Sequence, residues 1–265
     1  MQWTVEAEAA IKKVPFFIRK KVKSRVEKEA TEDGKRIVDI EAVKTTQKRY
    51  LSGMAAEVKG YQLDTCFGPS GCPNRSIVSD DLVRRLEKVL RAADLLSFLK
   101  EQVDDDLKFH HEFRVTIADC PNACSQPQIK DVGIIGAVMP TITEETCSHC
   151  AACVEVCPDD AITINETVAI DRDRCMACGK CILACPTRTI GEKEKGYRVL
   201  LGGKLGRHPR LARKLPGIFS EQKVLQIVDA CLVLYKKKSR GGKRFAAVLS
   251  DTDFDQLAKQ FCLQN

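Results

Sequence analysis

Two cysteine blocks with the same spacing are the most informative feature of the sequence. Each block reads C-x2-C-x2-C-x3-C-P, and the cysteines are Cys147, Cys150, Cys153 and Cys157, then Cys175, Cys178, Cys181 and Cys185. Three closely spaced thiolates can surround one iron–sulfur cube from a tight loop. The fourth lies about one helical turn later and points to a neighbouring cube. The spacing therefore predicts two [4Fe–4S] clusters.

The same spacing is typical of bacterial ferredoxins, in which the fourth cysteine of each block ligates the other cluster. One cluster is then held by Cys147, Cys150, Cys153 and Cys185. The other is held by Cys175, Cys178, Cys181 and Cys157. A zinc ribbon is the alternative, since paired C-x2-C is also a zinc spacing. Each block already offers four thiolates with a proline after the last, which favours the iron–sulfur interpretation. His149 is interpreted as a loop residue.

Four more cysteines form two pairs earlier in the chain. Five residues separate Cys66 from Cys72 in CFGPSGCPNR, and three separate Cys120 from Cys124 in DCPNACSQPQ. Glycines and prolines around the first pair let the backbone approach a cluster closely. Four thiolates on two loops predict a third [4Fe–4S] cluster.

The two pairs, C-x5-C and then C-P-N-x-C, resemble the signature of the sirohaem sulfite and nitrite reductases. In that family the four cysteines bind a [4Fe–4S] cluster, and the last one, matching Cys124, also bridges to the sirohaem iron. Residues 196–210, GYRVLLGGKLGRHPR, resemble the family's sirohaem-contacting strand and loop. Lys204, Arg207 and Arg210 are then candidates for binding sirohaem carboxylates, because cationic side chains suit them. A solvated basic loop is the alternative.

The resemblance implies reduction of sulfite or nitrite, small oxyanions, with electrons supplied by a donor protein through the two ferredoxin-type clusters. A non-catalytic iron–sulfur electron carrier or tetrapyrrole-handling protein on the same scaffold is the alternative. No catalytic residue is assigned. The candidates for the shell around the anion are Arg75, Arg114 and Lys130. His110 and His111 are interpreted equally well as surface residues or proton donors.

The sequence departs from the family before its first cysteine pair. Family members normally carry another α/β module there, which supplies much of the basic shell around the anion. Here a segment that looks helical stands in that position, before Cys66. The chain therefore resembles half of a reductase, and we expect a homodimer or a hetero-oligomer to complete the site.

Local patterns predict the elements at the start of the chain. Residues 1–50 predict three helices: Thr4 can cap the first, Pro15 suits the start of the second and Asp39 can start the third. Gly34 can end the second helix. The apolar residues of that helix recur every four positions at Ile18, Val22 and Val26.

This helical segment has a resemblance of its own. Residues 3–8 and 14–20 resemble the small helical module at the C-terminus of a light-independent protochlorophyllide reductase subunit. The resemblance implies a docking role near tetrapyrrole or cluster enzymes. Basic residues between Arg19 and Arg25 are interpreted as the solvated face of an amphipathic helix, not as a nucleic-acid site.

The rest of the chain predicts an α+β fold. A helix or helix pair is expected over 79–108, with an apolar stripe of Leu82, Leu86, Val89, Leu90 and Leu96. Residues 113–118 alternate as a strand that delivers Cys120, with 197–201 as its partner. We also expect helices over 221–236 and 253–261 and a strand over 245–249. The reductase-type domain, 64–141 with 187–265, would close around a ferredoxin domain, 142–186, and the helical module would span 1–50.

Composition excludes several classes of protein. Of 265 residues, 44% are hydrophobic and 30% charged, which suits a packed core. The uncharged run over 132–143 is too short for a bilayer, and Glu6 and Glu8 replace the apolar region of a secretory signal. We therefore expect a cytoplasmic protein without membrane insertion, in which a count of 14 cysteines points to metal or redox chemistry and not to disulfides. The net charge of +7 is interpreted as offsetting anionic cofactors. Cys231 is expected to be a small buried apolar residue.

Overall fold

The computed structural model describes the backbone of residues 1–262 and the side chains of residues 1–16, 18–49 and 57–262. The chain forms two compact units. One comprises residues 1–58 and 103–109, and the other comprises residues 59–102 and the chain from residue 110 onward. The chain contains both helices and strands, so the predicted mixture of the two is confirmed. The last three residues of the predicted range 187–265 lie outside the described residues.

The first unit contains the three predicted helices. Its elements are β1 (Gln2–Trp3), α1 (Val5–Lys12), α2 (Phe16–Glu32), β2 (Ile37–Val38) and α3 (Ile40–Glu57). The Thr4 hydroxyl accepts a hydrogen bond from the Ala7 amide at the start of α1. The Asp39 carboxylate accepts one from the Ala42 amide at 2.7 Å, and this bond, with the ammonium of Lys35, lowers the pKa of Asp39. Both predicted caps are confirmed.

The core of this unit is small. It is built from Ala7, Val26, Ala30, Val38 and Ala42. Of the predicted stripe on α2, Val26 is buried and Val22 packs at the edge of the core, but Ile18 is exposed. The prediction for Ile18 was wrong because a core of this size covers only part of the helix.

The second unit is built on a five-stranded sheet. In chain order its elements are β3 (Tyr61–Thr65), α4 (Asp80–Ala92), α5 (Leu95–Gln102), β4 (Phe113–Ala118), β5 (Val132–Ile142), α6 (Ala152–Glu155), β6 (Ile162–Ile164), β7 (Val168–Ile170), α7 (Lys180–Ala184), β8 (Ile190–Leu201), β9 (Arg213–Lys214), α8 (Glu221–Lys238), α9 (Phe245–Val248) and α10 (Asp251–Cys262). The sheet order is β3-β4-β5-β8-β9. The first three strands are parallel, whereas β8 is antiparallel to both of its neighbours.

The central strand of this sheet corrects one prediction. The strand over 113–118 is confirmed as β4, but its partners are β3 and β5, not residues 197–201. Those residues belong to β8, which pairs with β5 from Val132↔Leu201 to Ile142↔Ile190. The uncharged run that forms β5 is almost wholly buried, so it takes the central place between the two strands that we expected to pair.

Helices cover one face of the sheet. The predicted helix over 79–108 is the pair α4 and α5, divided at Asp94, and the helices over 221–236 and 253–261 are α8 and α10. On α5, Leu95 and Leu99 are buried in place of the predicted Leu96. Cys231 is fully buried on α8, as expected. Among the helices of the described residues, none has the length and apolar character needed to cross a membrane.

The strand predicted over 245–249 is a short helix, α9. The buried carboxylate of Asp131 accepts a hydrogen bond from the Ala246 amide at 3.1 Å and pairs with the Arg244 guanidinium at 3.0 Å. These bonds hold the start of α9 against the core. The strand prediction was wrong because the continuous apolar run over 245–249 does not show the contact with a distant carboxylate.

Residues 143–189 leave the sheet at the end of β5 and return at the start of β8. They contain two short helices, α6 and α7, and the antiparallel pair of β6 and β7. Their small core includes Cys153, Ile162, Val168, Cys181 and Ile190. The assignment of residues 142–186 as a ferredoxin domain stays a prediction.

Candidate iron–sulfur centres

The cysteines predicted to hold the third cluster meet at one edge of the sheet. Cys66 follows β3 and Cys120 closely follows β4, and because these strands are parallel, their carboxyl ends are adjacent. Burial raises the pKa of the Cys120 thiol, and the nearby thiolates of the other three cysteines raise it further. We call this group the sheet centre: Cys66, Cys72, Cys120 and Cys124.

A buried carboxylate holds the two loops of the sheet centre together. Asp119 accepts hydrogen bonds from Arg75 Nε at 3.1 Å and from the Ser79 hydroxyl at 2.5 Å. Its backbone carbonyl accepts from the amides of Ser76 and Ile77. Sequence reasoning missed Asp119, although a carboxylate directly after an apolar strand and before a ligand cysteine was a usable signal.

Backbone amides also contact the sulfur atoms of the sheet centre. The amides of Gly68 and Asp119 each lie 3.3 Å from Cys66 Sγ. A Cβ on Gly68 would overlap the Asp119 carboxylate, so glycine is required for this close approach. Hydrogen bonds to sulfur are one way in which a protein tunes an iron–sulfur cluster.

Two further cysteine groups lie in the segment between β5 and β8. One cavity is lined by four thiols that we call the first loop centre: Cys147, Cys150, Cys153 and Cys185. A second cavity is lined by the second loop centre: Cys157, Cys175, Cys178 and Cys181. Each cavity thus collects three cysteines of one block and the fourth of the other, the grouping predicted from the sequence.

The two loop centres repeat the same backbone geometry. Three positions of the first block have a positive φ, and each recurs 28 residues later: His149 with Ala177, Ala151 with Gly179, and Asp160 with Arg188. This left-handed conformation is costly for residues other than glycine. Its recurrence indicates that both loops bend in the same way around their cavities.

The thiols of the loop centres differ in their electrostatic surroundings. Burial, and then the neighbouring thiolates, raise the pKa of Cys181 to about 12. Burial also acts on Cys185, but donation from the Ile190 amide and from Thr187 outweighs it and lowers the pKa. The Ile190 amide lies 3.5 Å from Cys185 Sγ.

Among the described residues, no group of three or more His, Cys, Asp and Glu side chains forms a site for a metal ion. A [4Fe–4S] cube separates its four thiolates more widely than one tetrahedral ion does. The thiols of each loop centre line one cavity, and those of the sheet centre share electrostatic contacts, so all three donor sets suit a cluster.

The sheet centre exposes one of its ligands. Cys124 is exposed, whereas Cys120 is buried and the other two are half-buried. Ala123, next to Cys124, packs against Ile135 and Leu200 on the face of the sheet opposite the large helical core, with Ala212 at the edge. An exposed thiol beside an apolar surface suits a flat macrocycle with an axial thiolate ligand.

The basic loop after β8 has mixed roles. The Arg210 guanidinium donates to the backbone carbonyls of Gly202 and Ala246, so in this structure it holds the loop. Lys204 and Arg210 also exchange two backbone hydrogen bonds of 2.9 Å. Arg207 is exposed. Lys204 and Arg207 are therefore better placed than Arg210 to meet the carboxylates of a cofactor.

Two of the candidates for the anion shell already have carboxylate partners. Arg75 pairs with Asp80 at 2.8 Å and with Asp119, and Lys130 pairs with Asp64 at 2.7 Å. The Arg114 amide donates to Asp131. The rings of His110 and His111 meet edge to face with centroids 4.2 Å apart. Arg75 is thus a support for the sheet centre.

Comparison with known families gives two matches. Residues 62–264 match the family described as the nitrite and sulphite reductase 4Fe-4S domain. Residues 3–46 match the family described as the proto-chlorophyllide reductase 57 kD subunit.

Several curated proteins are similar to the chain. Coenzyme F420-dependent sulfite reductase of Methanocaldococcus jannaschii is 39% identical over 153 residues, which are 57% of this chain and 24% of that protein. A subunit of the anaerobic sulfite reductase of Salmonella typhimurium is 28% identical over 207 residues, 76% of this chain and 55% of that protein. A subunit of the light-independent protochlorophyllide reductase of Chlorobium luteolum is 46% identical over 48 residues, 18% of this chain and 9% of that protein. The chain thus spans from about a quarter to about half of the sulfite reductases it matches.

Proposed function

Because the chain belongs to the nitrite and sulphite reductase 4Fe-4S domain family, we propose that it is the sirohaem- and cluster-binding part of a sulfite reductase. The family membership and the protochlorophyllide reductase likeness predicted from the sequence are both confirmed. Sulfite is preferred to nitrite because two of the relatives are named sulfite reductases. The chain is an iron–sulfur protein, and the number of its clusters is part of the proposal.

Three [4Fe–4S] clusters are proposed, one for each cysteine group. The sheet centre would hold one cluster, and each loop centre another. When bound, such clusters supply one-electron transfer. The chain's own contribution is to fix four thiolates around each cavity and to direct amide groups at Cys66 and Cys185.

The exposure of Cys124 is the observation that carries the sirohaem proposal. It is the most exposed member of the sheet centre, and it lies next to Ala123, which packs against Ile135 and Leu200. Cys124 would hold the sirohaem iron, and Lys204 and Arg207 would pair with the sirohaem carboxylates. Arg210 holds the loop that presents them. Bound sirohaem would supply the iron at which sulfite is reduced.

The basic residues around the substrate anion would have to include some that are not among the candidates Arg75, Arg114 and Lys130. Arg75 and Lys130 are already paired with carboxylates, so they are poor donors of positive charge to an anion. We propose that a second copy of the chain or a partner protein completes this shell, in line with the part-length matches. A separate electron-donor protein would feed the loop centres.

An anaerobic absorption spectrum with iron and sulfide counts tests the proposal. We expect about twelve cluster irons, one further iron and the Soret and red bands of sirohaem. Sulfite and nitrite assays with reduced viologen then measure the activity. Cys124→Ala should lose the sirohaem bands, while Cys231→Ala, a buried cysteine outside all three groups, should keep them.

The same measurement separates the second candidate, a non-catalytic iron–sulfur electron carrier. Arg75 and Lys130 are paired with carboxylates and so offer little positive charge to a substrate anion, which favours that candidate. About twelve irons without haem bands, even after sirohaem is added, would support it and overturn the reductase proposal. A count of about eight irons would instead show that the sheet centre holds no cluster.

A further inference from the structure

Ser76 joins the loop of the sheet centre to the second loop centre. It follows Cys72 in the chain, and its amide donates to the Asp119 carbonyl at 3.0 Å, next to Cys120. Its hydroxyl donates to the Cys178 carbonyl at 2.8 Å, across 102 positions of the chain. Cys72 and Cys120 belong to the sheet centre, whereas Cys178 belongs to the second loop centre. One residue therefore bonds to the backbone beside both groups of cysteines.

Strand β5 makes two further contacts at the same junction. A Cβ on Gly136 would lie 2.5 Å from the Asp119 carbonyl oxygen, so the strand packs closely against the peptide that precedes a ligand of the sheet centre. Farther along the strand, the Val138 amide donates to the Ala177 carbonyl of the second loop centre at 2.7 Å. The sheet centre and the second loop centre therefore contact the same short stretch of β5.

The first loop centre meets β5 at a more distant point. Its cavity includes Ile190, whose amide lies 3.5 Å from Cys185 Sγ, and Ile190 stands opposite Ile142 of β5. A strand advances about 3.3 Å per residue, so Val138 is about 7 Å and Ile142 about 20 Å from Gly136. The three groups thus reach β5 in the order sheet centre, second loop centre and first loop centre.

We propose that Ser76 is a positioning residue for electron transfer, which holds the second loop centre beside the sheet centre. The order along β5 makes the first loop centre the point of entry and the second the link to the sheet centre. Each transfer oxidises one centre and reduces the next by one electron, supplied by an iron–sulfur donor protein, and no bond to cysteine is made or broken. This inference rests on the proposed function and deepens it, because it names the contact that joins the loop segment to the sheet centre.

The first measurement is amide hydrogen exchange on the anaerobically purified full chain. Ser76→Ala removes one hydrogen bond, which should shift the equilibrium between the held and the released loop by about fivefold. The Val138 amide, which is bonded to Ala177, should therefore exchange about fivefold faster. Ser76→Thr keeps the hydroxyl and should restore the parent exchange rate.

The second measurement separates electron transfer from structure. Mixing with a reduced ferredoxin, followed by rapid freezing and electron paramagnetic resonance, shows how fast each cluster is reduced. In Ser76→Ala the sheet centre should be reduced more slowly, by up to about fivefold for one lost hydrogen bond, while both loop centres keep their rates. Cys66→Ala, which removes a ligand of the sheet centre, identifies the signal of that centre. Ser97→Ala, which removes a hydroxyl from an exposed position on α5, should change neither measurement.

The outcomes separate this inference from the proposed function. A parent protein without about twelve cluster irons would contradict the proposed clusters and this inference with them. With all clusters present, an unchanged rate at the sheet centre in Ser76→Ala would overturn only the role of Ser76, even if the Val138 amide exchanges faster. Slower reduction confined to the sheet centre, with rescue by Ser76→Thr, supports it. If Ser76→Ala does not assemble its clusters, Ser76→Thr decides: slow reduction of the sheet centre despite the hydroxyl overturns the proposal, and the parent rate supports it.

Discussion

The sheet centre and the loop centres collect the same number of cysteines in opposite ways. Each loop centre draws its ligands from two short blocks 28 residues apart, which bend through repeated left-handed positions. The sheet centre joins cysteines more than 50 residues apart through parallel strands and the buried Asp119. The positions of the cysteines are therefore set by local backbone conformation in the loop centres. In the sheet centre they depend on how the strands of the sheet pair.

The largest expected effect comes from the carboxylate that supports the sheet centre. Asp119→Asn leaves Arg75 without its buried partner and should cost about 3 kcal/mol of unfolding free energy. The sheet cluster should be lost while both loop clusters stay, so iron counts fall from about twelve to about eight.

The matched control is Asp160→Asn in the loop segment. Asp160 is exposed and faces Arg174 at 3.5 Å, so removing its charge should change stability by less than about 1 kcal/mol. Loss of loop clusters in Asp119→Asn would contradict the separation between the two kinds of centre.

The two loop centres differ at one pair of equivalent positions, Gly179 and Ala151, and this difference can be tested by substitution. Gly179→Ala places a Cβ 2.9 Å from Val138 Cβ and adds a left-handed alanine, which together should destabilise the segment by about 2 kcal/mol. Its counterpart Ala151 already has φ 60°. Ala151→Gly should therefore change stability by less than about 1 kcal/mol. The loss of cluster absorption in the presence of a chelator should be faster in Gly179→Ala than in the parent protein, and unchanged in Ala151→Gly. Equal rates in the two variants would show that the contact with β5 does not make the two loops different.

The loop centres should also differ in the pH dependence of cluster assembly. Cysteine binds iron as thiolate, so each thiol must release its proton on binding. The pKa of Cys181 is raised to about 12, so it releases a full proton at neutral pH, and assembly at the second loop centre should improve as pH rises. In the first loop centre burial raises the pKa of Cys153 but the pKa of Cys185 is lowered, so its assembly should depend less on pH. Reconstitution of apoprotein at pH 7 to 9, followed by resonance signals, measures both; a steeper rise at the first centre would contradict the prediction.

The smallest effect is expected at Lys130. Its pair with the half-exposed Asp64 should contribute no more than about 1 kcal/mol, so Lys130→Met should fold and load all clusters. If the ion pair is its only role, KM for sulfite should stay unchanged. A large rise in KM would instead place Lys130 in the anion shell.

Local patterns predicted the loop centres better than the sheet. Cysteine spacing predicted which four of the eight loop cysteines line each of the two cavities, and their role as ligands stays a prediction. The helix caps at Thr4 and Asp39 could also be predicted from the sequence, because each cap hydrogen bond joins residues only three positions apart.

Long-range contacts account for what the sequence did not predict. The pairing of β5 with β8, the helix at Phe245 and the support by Asp119 each depend on residues 40 or more positions away. The short-range pattern around each of these residues was compatible with another structure.

The way the loop segment joins the sheet has a consequence for engineering. Ile142 and Ile190 are directly opposite each other in the β5–β8 pair, so the chain leaves and returns at one point. Adjacent antiparallel strands can be closed by a two-residue turn. Residues 143–189 can therefore be replaced by a hairpin that keeps the β5–β8 register, with loss of the hydrogen bonds from Val138 to Ala177 and from Ser76 to Cys178.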